Sequence, residues 1–139
     1  MKHTRLNLAW LGLAATALLA QGCAPQASWN GVFKMDLAGA ARVCVAATAS
    51  PPDGQTSVVQ MQVSNEGGWC GVNATRGGVP FESYLLAARP AHGKIYAHRV
   101  GGYTRIDYTP DTGFAGTDTF AVRLIPGNAA IQGAVSVTR

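Results

Sequence analysis

Residues 57–64 read SVVQMQVS, so Val59, Met61 and Val63 alternate with Gln60, Gln62 and Ser64. Successive side chains of an extended strand point to opposite faces, so this period of two gathers three apolar groups on one side of a sheet. The same period returns three times toward the C-terminus. Ile106 and Tyr108 alternate with Arg105 and Asp107; Phe120, Val122 and Leu124 with Thr119, Ala121 and Arg123; Val135 and Val137 with Ser136 and Thr138. These patterns predict strands at 104–109, 118–125 and 130–138, and 93–99 (GKIYAHR) adds another. Upstream, 42–48 (RVCVAAT) reads as the first strand and stops at Pro51-Pro52-Asp53-Gly54, where Pro fixes φ and Gly supplies a positive one. Residues 83–88 (SYLLAA) fit either a strand or a short helical turn. Arg99 and Arg105 flank Gly101-Gly102 and are expected to face each other across a hairpin. About seven short strands punctuated by Gly and Pro predict an all-β domain: a two-sheet antiparallel sandwich.

The N-terminus follows a different pattern. A 15-residue, mainly apolar run, 6–20, stands behind the basic start Met1-Lys2-His3-Thr4-Arg5. A membrane span needs about 20 residues, so residues 1–22 read as a secretory signal. The boundary Leu18-Leu19-Ala20-Gln21-Gly22-Cys23 resembles the bacterial lipobox, although Ala20 stands where that pattern prefers Leu. An ordinary small-x-small cleavage site would cut at the same bond. The lipobox resemblance implies acylation of Cys23 and attachment to the membrane through a lipid anchor. Ala24 after that Cys implies the outer membrane of a Gram-negative cell, with the protein facing the periplasm or the cell surface. Three Cys leave one over in an oxidising compartment. Acylating Cys23 removes it and leaves Cys44 and Cys70 to pair. Residues 23–38 are then expected to form the lipidated N-terminus and tether, and 39–139 the domain. Trp29 and Phe33 are expected to pack against the domain edge.

Removing 22 of 139 residues leaves 117, enough for one core and too few for two. The formal charge of +4 falls to +2 once Lys2 and Arg5 are lost, and the remaining basic residues form no stripe, so nucleic acid is not an expected partner. Charged residues make up 13% of the chain, about half the ~25% usual in soluble domains, while ten aromatics remain after residue 22. Disorder is therefore not expected.

One stretch carries a resemblance. Pro90-Ala91-His92-Gly93, followed by Tyr108-Thr109-Pro110-Asp111-Thr112-Gly113-Phe114-Ala115-Gly116-Thr117-Asp118-Thr119-Phe120, is similar to bacterial immunoglobulin-like and cadherin-like domains. Their signature runs P-x-H-G, then Y-x-P-x-x-G-F-x-G-x-D-x-F. The match covers 85–139 and implies an immunoglobulin-like sandwich. Its spacing also has a physical reading. Pro110 sets a corner, and Gly113 and Gly116 allow positive φ. Phe114 folds under the loop as a plug, and Asp118 accepts hydrogen bonds from loop amides. Tyr108 and Phe120 are expected to face the core from adjacent strands. Such domains usually occur as tandem copies without disulfides. Here there is one copy, and Cys44 and Cys70, 26 positions apart, lie outside the matched stretch.

Candidate chemistry is sparse. After residue 22 the histidines are His92, on the matched corner, and His98, on a predicted strand. H-E-x-x-H, G-x-S-x-G and C-x-x-C are all missing from the sequence. No catalytic group and no cofactor is expected. Asp107, Asp111 and Asp118 are candidates to gather at one end of the sandwich around Ca²⁺. Tyr96, Tyr103 and Tyr108, with Trp69, are candidates for a sugar-stacking strip. The leading expectation is a non-enzymatic envelope protein that contacts another envelope protein or the cell wall. The alternatives are a glycan- or calcium-binding surface module, or a disulfide-stapled inhibitor of an envelope hydrolase presenting the Gly-rich segment 66–78.

Overall fold

The computed structural model describes residues 34–139. A single 3-10 turn, Lys34–Leu37, precedes eight strands: β1 Cys44–Ala46, β2 Thr56–Ser64, β3 Cys70–Ala74, β4 Ser83–Ala88, β5 Gly93–Val100, β6 Tyr103–Pro110, β7 Gly116–Ile125 and β8 Ala129–Thr138. They form two sheets, in the orders β1-β2-β8-β7-β4 and β3-β6-β5. The fold is an all-β sandwich, as the patterning predicts, with eight strands in place of about seven. Every ladder is antiparallel except β2–β8, which runs parallel from Thr56↔Ala130 to Ser64↔Thr138. That pair zips the first long strand to the last.

The period-two residues face inward as expected. Val59, Met61 and Val63, Ile106 and Tyr108, Phe120, Val122 and Leu124, and Val135 and Val137 are all buried in one core with Val72, Phe81 and Ile131. Gly133 is where this packing needs glycine: it stands opposite Phe120 in the β7–β8 ladder, and a Cβ there would run into the Phe120 ring. The flat backbone lets the ring lie over β8.

One open choice is settled and three sequence expectations change. Residues 83–88 are strand β4, paired to β7. The first strand shrinks to Cys44–Ala46, because the chain then leaves the five-stranded sheet and Ala49 bridges Ala74 of the other one. Arg105 does not face Arg99: the register is His98↔Arg105 and Arg99↔Thr104, since the tight Gly101-Gly102 turn pairs Val100 with Tyr103. Tyr108 and Phe120 do face the core, but from opposite sheets, with their rings stacked at 6.2 Å across the sandwich.

Cys44 and Cys70 are disulfide-bonded. The bond ties β1 of one sheet to β3 of the other, with Cys70 fully buried. Closing a loop with a separation of 26 stabilises the fold by ~3 kcal/mol in the chain-entropy account. Cys44→Ala/Cys70→Ala is therefore expected to lose about that much in a urea titration. A loss below about 1 kcal/mol would mean that packing alone holds the sheets in register.

Candidate functional site

The matched motif builds one corner of the sandwich. Asp118, on β7, is buried with its carboxylate turned back to the 90–93 connection. Its Oδ1 accepts from the amides of Ala91 (2.9 Å) and Thr119 (2.8 Å), and its Oδ2 from the amide of His92 (2.8 Å) and the Tyr108 hydroxyl (3.0 Å). The hydroxyl oxygen also lies 3.2 Å from the His92 carbonyl oxygen, a second acceptor for the same donor. Burial pushes the Asp118 carboxyl up, but these four donors outweigh it and hold it below the usual 3.8. Burial, reinforced by Asp118, pushes the Tyr108 hydroxyl far above its ordinary range.

Around this anchor the connecting loop closes on itself. Asp111 N–H donates to the His92 carbonyl and Phe114 N–H to the Asp111 carbonyl, while the Asn65 side-chain amide donates to both the Asp111 and Phe114 carbonyls at 2.8 Å. Gly113 and Gly116 take φ of 80° and 142°, as the spacing predicts. Phe114 is half-buried against the core and stacks on His92 with ring centroids 4.3 Å apart. Pro110 ends β6 and is buried. His92 is thus a lid on Phe114, and the corner is structural.

The second polar cluster lies on the outer face of the three-stranded sheet. Arg105 and Asp107, two apart on β6, share that face, and the register sets His98 beside Arg105 and Tyr96 beside Asp107. Arg105 is 7% exposed and Asp107 4%. Arg105 Nε sits 2.8 Å from Asp107 Oδ1 without the alignment of a hydrogen bond, while Nη2 donates to Oδ2 at 3.1 Å. His98 Nε2 lies 3.2 Å from the same Nη2, and its Nδ1 is 3.8 Å from Asp107. The guanidinium stacks on Trp69, with its carbon 4.0 Å from the ring centroid, and donates to the Asp36 carbonyl. Trp69 in turn donates to the Ala38 carbonyl at 3.0 Å. Residues 36–41 are thereby strapped over this face. Burial pushes the Asp107 carboxyl up, and the nearby Arg105 only partly offsets it. Sequence reasoning missed the burial of Arg105; the available signal was an Arg and an Asp at i, i+2 on one strand, with a Trp beside a disulfide Cys.

The structure separates the residues expected to act together. Asp107 faces outward from the sheet, Asp118 is committed to loop amides and Asp111 is exposed, so the three carboxylates do not gather at one end. No group of three or more metal-ligating side chains occurs among the described residues. The tyrosine strip also divides. Tyr108 is core, Trp69 lies under Arg105 and Tyr103 is half-buried at the hairpin, whereas Tyr96 is 66% exposed and tilts over His98 at 4.6 Å. The middle of segment 66–78 is strand β3, whose Cys70, Val72 and Ala74 are buried. Cys23, Trp29 and Phe33 lie outside the described residues. A cleft of about 300 Å³ opens between the end of β4 and the start of β5, lined by Leu86, Arg89, Pro90, Gly93, Lys94 and Ile95.

Among the described residues no helix is long and apolar enough to cross a membrane. No protein-family model matches the chain, and no curated protein sequence matches it either.

Proposed function

We propose that the chain is a non-enzymatic envelope lipoprotein whose sandwich domain serves as a structural or protein-interaction module. One observation carries the reading: both described imidazoles and the two buried carboxylates are already engaged in holding the fold. His92 covers Phe114, His98 meets Arg105, Asp118 anchors a loop and Asp107 pairs with Arg105. A general base so committed has little freedom to serve a substrate. The apolar run at 6–20 and Cys23 support export and lipid anchoring on the outer membrane.

The test joins two measurements on the chain expressed in a Gram-negative host. Mass spectrometry of the mature N-terminus should find a diacylglyceryl group on Cys23, and cross-linking in intact envelopes should recover a defined envelope protein or wall fragment. Turnover of peptidoglycan or of an ester substrate by the purified protein would overturn the reading. Tyr96 favours one alternative, since its exposed ring is the flat surface a sugar face stacks on. Glycan binding lost in Tyr96→Ala would move the assignment to a glycan-binding module.

A further inference from the structure

We infer that the cleft between β4 and β5 is a binding site for a small aliphatic carboxylate, whose oxygens are held by Arg89 and Lys94 and whose hydrocarbon part lies on Leu86, Pro90 and Ile95. The site adds a ligand to the domain and requires no reaction of it.

Both walls of the cleft are sheet margins. β4 ends the five-stranded sheet and pairs only with β7, while β5 ends the three-stranded sheet and pairs only with β6. The space between them measures about 300 Å³, the small end of the ~300–1,000 Å³ range of ligand pockets. Leu86 stands opposite the buried Val122, on the core-side face, yet is 38% exposed, because three strands facing five leave it uncovered. Ile95, opposite Tyr108, is half-buried against the core. The apolar lining is thus an outward continuation of the core, and a hydrocarbon that displaces water from it gains free energy.

The charged lining has one sign. Arg89 and Lys94 stand in the cleft, and no carboxylate lines it. Both are exposed, and neither forms an ion pair or a side-chain hydrogen bond among the described residues. Arg76 and Arg105, by contrast, are each paired with an aspartate. Two unpaired cations beside apolar surface select an anion that carries a hydrocarbon body.

The turn from β4 to β5 decides which anion. Phosphate sites built on turns draw on runs of backbone N–H groups. Here the amides of Ala91 and His92 are already given to Asp118, at 2.9 and 2.8 Å, and Pro90 has no N–H to offer. The cleft is left with a guanidinium and an ammonium. A planar guanidinium matches the two oxygens of a carboxylate, and the ammonium adds a point charge beside them.

The test is photolabelling of the full chain in phosphatidylcholine nanodiscs with a hexanoate that carries a diazirine, read by mass spectrometry of the labelled peptides. Label is expected within residues 86–95, displaced by unlabelled hexanoate and not by hexanol. Arg89→Gln/Lys94→Gln should weaken hexanoate about tenfold. Arg99→Gln/Arg123→Gln removes the same charge away from the cleft and should leave the affinity unchanged. All four positions are exposed, and an unchanged thermal melt shows that the fold is intact. Acetyl-Ala-Ala-Leu as the free acid, beside its amide, separates a chain terminus from a free acid as the source of the carboxylate; the stronger of the two acids names it. Label scattered over the surface overturns the inference, as does displacement by hexanol, or equal weakening by the two double variants. Hexyl phosphate displacing the probe better than hexanoate would overturn the choice of a carboxylate.

Discussion

Asp118→Ala is expected to lower the unfolding free energy by about 4 kcal/mol, the largest loss for any single carboxylate in the chain. The substitution strips acceptors from three backbone amides and from the Tyr108 hydroxyl, all at 2.8–3.0 Å. Hydrogen bonds to a charged acceptor contribute about 1.5–3 kcal/mol each, and partial rehydration of the opened loop returns part of that sum. Asp118→Asn should recover less than half, because its NH₂ would face donors. The acid limb carries the same signature. The folded pKa lies below the ordinary 3.8, so Asp118 contributes stability that is complete above that value. That contribution disappears as pH falls through the lowered folded value. Urea midpoints at pH 7 and pH 3 should therefore converge between wild type and Asp118→Ala. A gap of equal size at both pH values would refute the role of the charge.

Arg105→Met is expected to cost about 3–5 kcal/mol near neutral pH, because it leaves Asp107 ionised and buried with only a half-buried imidazole nearby. It also removes the cation stacked on Trp69 and the donor to the Asp36 carbonyl. The pH dependence has the opposite sign to that of Asp118. Asp107 already has a raised folded pKa, so protonation favours the folded state, and removing the guanidinium raises that pKa further. The penalty should therefore shrink as pH falls from 7.5 toward 5. Arg105→Met/Asp107→Asn should recover most of the loss, since an uncharged pair leaves no isolated buried charge. A penalty that is constant with pH, or a double variant as unstable as the single, would place the effect in lost Trp69 packing instead.

Period-two patterning made the strands legible because burial of one face leaves its mark on every second residue, as at 59–63 and 118–125. The motif corner was legible for a related reason. Gly113 and Gly116 take positive φ, and Asp118 answers amides close by in the same corner, so local chemistry dictates local geometry. Pairing across the sandwich was not legible in this way. Whether Tyr108 and Phe120 share a sheet depends on which ladders form, and alternation is the same in either case. The one-residue shift that sets Arg105 beside His98 came from the tightness of a single turn. Residues 83–88 carried no period because an overhanging edge strand has no buried face to record.

The amino-acid order by itself determined the positions of the long strands, the bend between Tyr108 and Phe120, and which of their residues turn to the core. Hydrophobic spacing and turn stereochemistry act over a few residues, and so they can be read there. Only the tertiary structure decided that Arg105 and Asp107 are buried, that Asp107, Asp111 and Asp118 point to different places, and that β4 is an edge strand paired on one side alone. Each of those depends on what a distant part of the chain brings alongside: a Trp and residues 36–41 over one sheet, and nothing over the edge of the other.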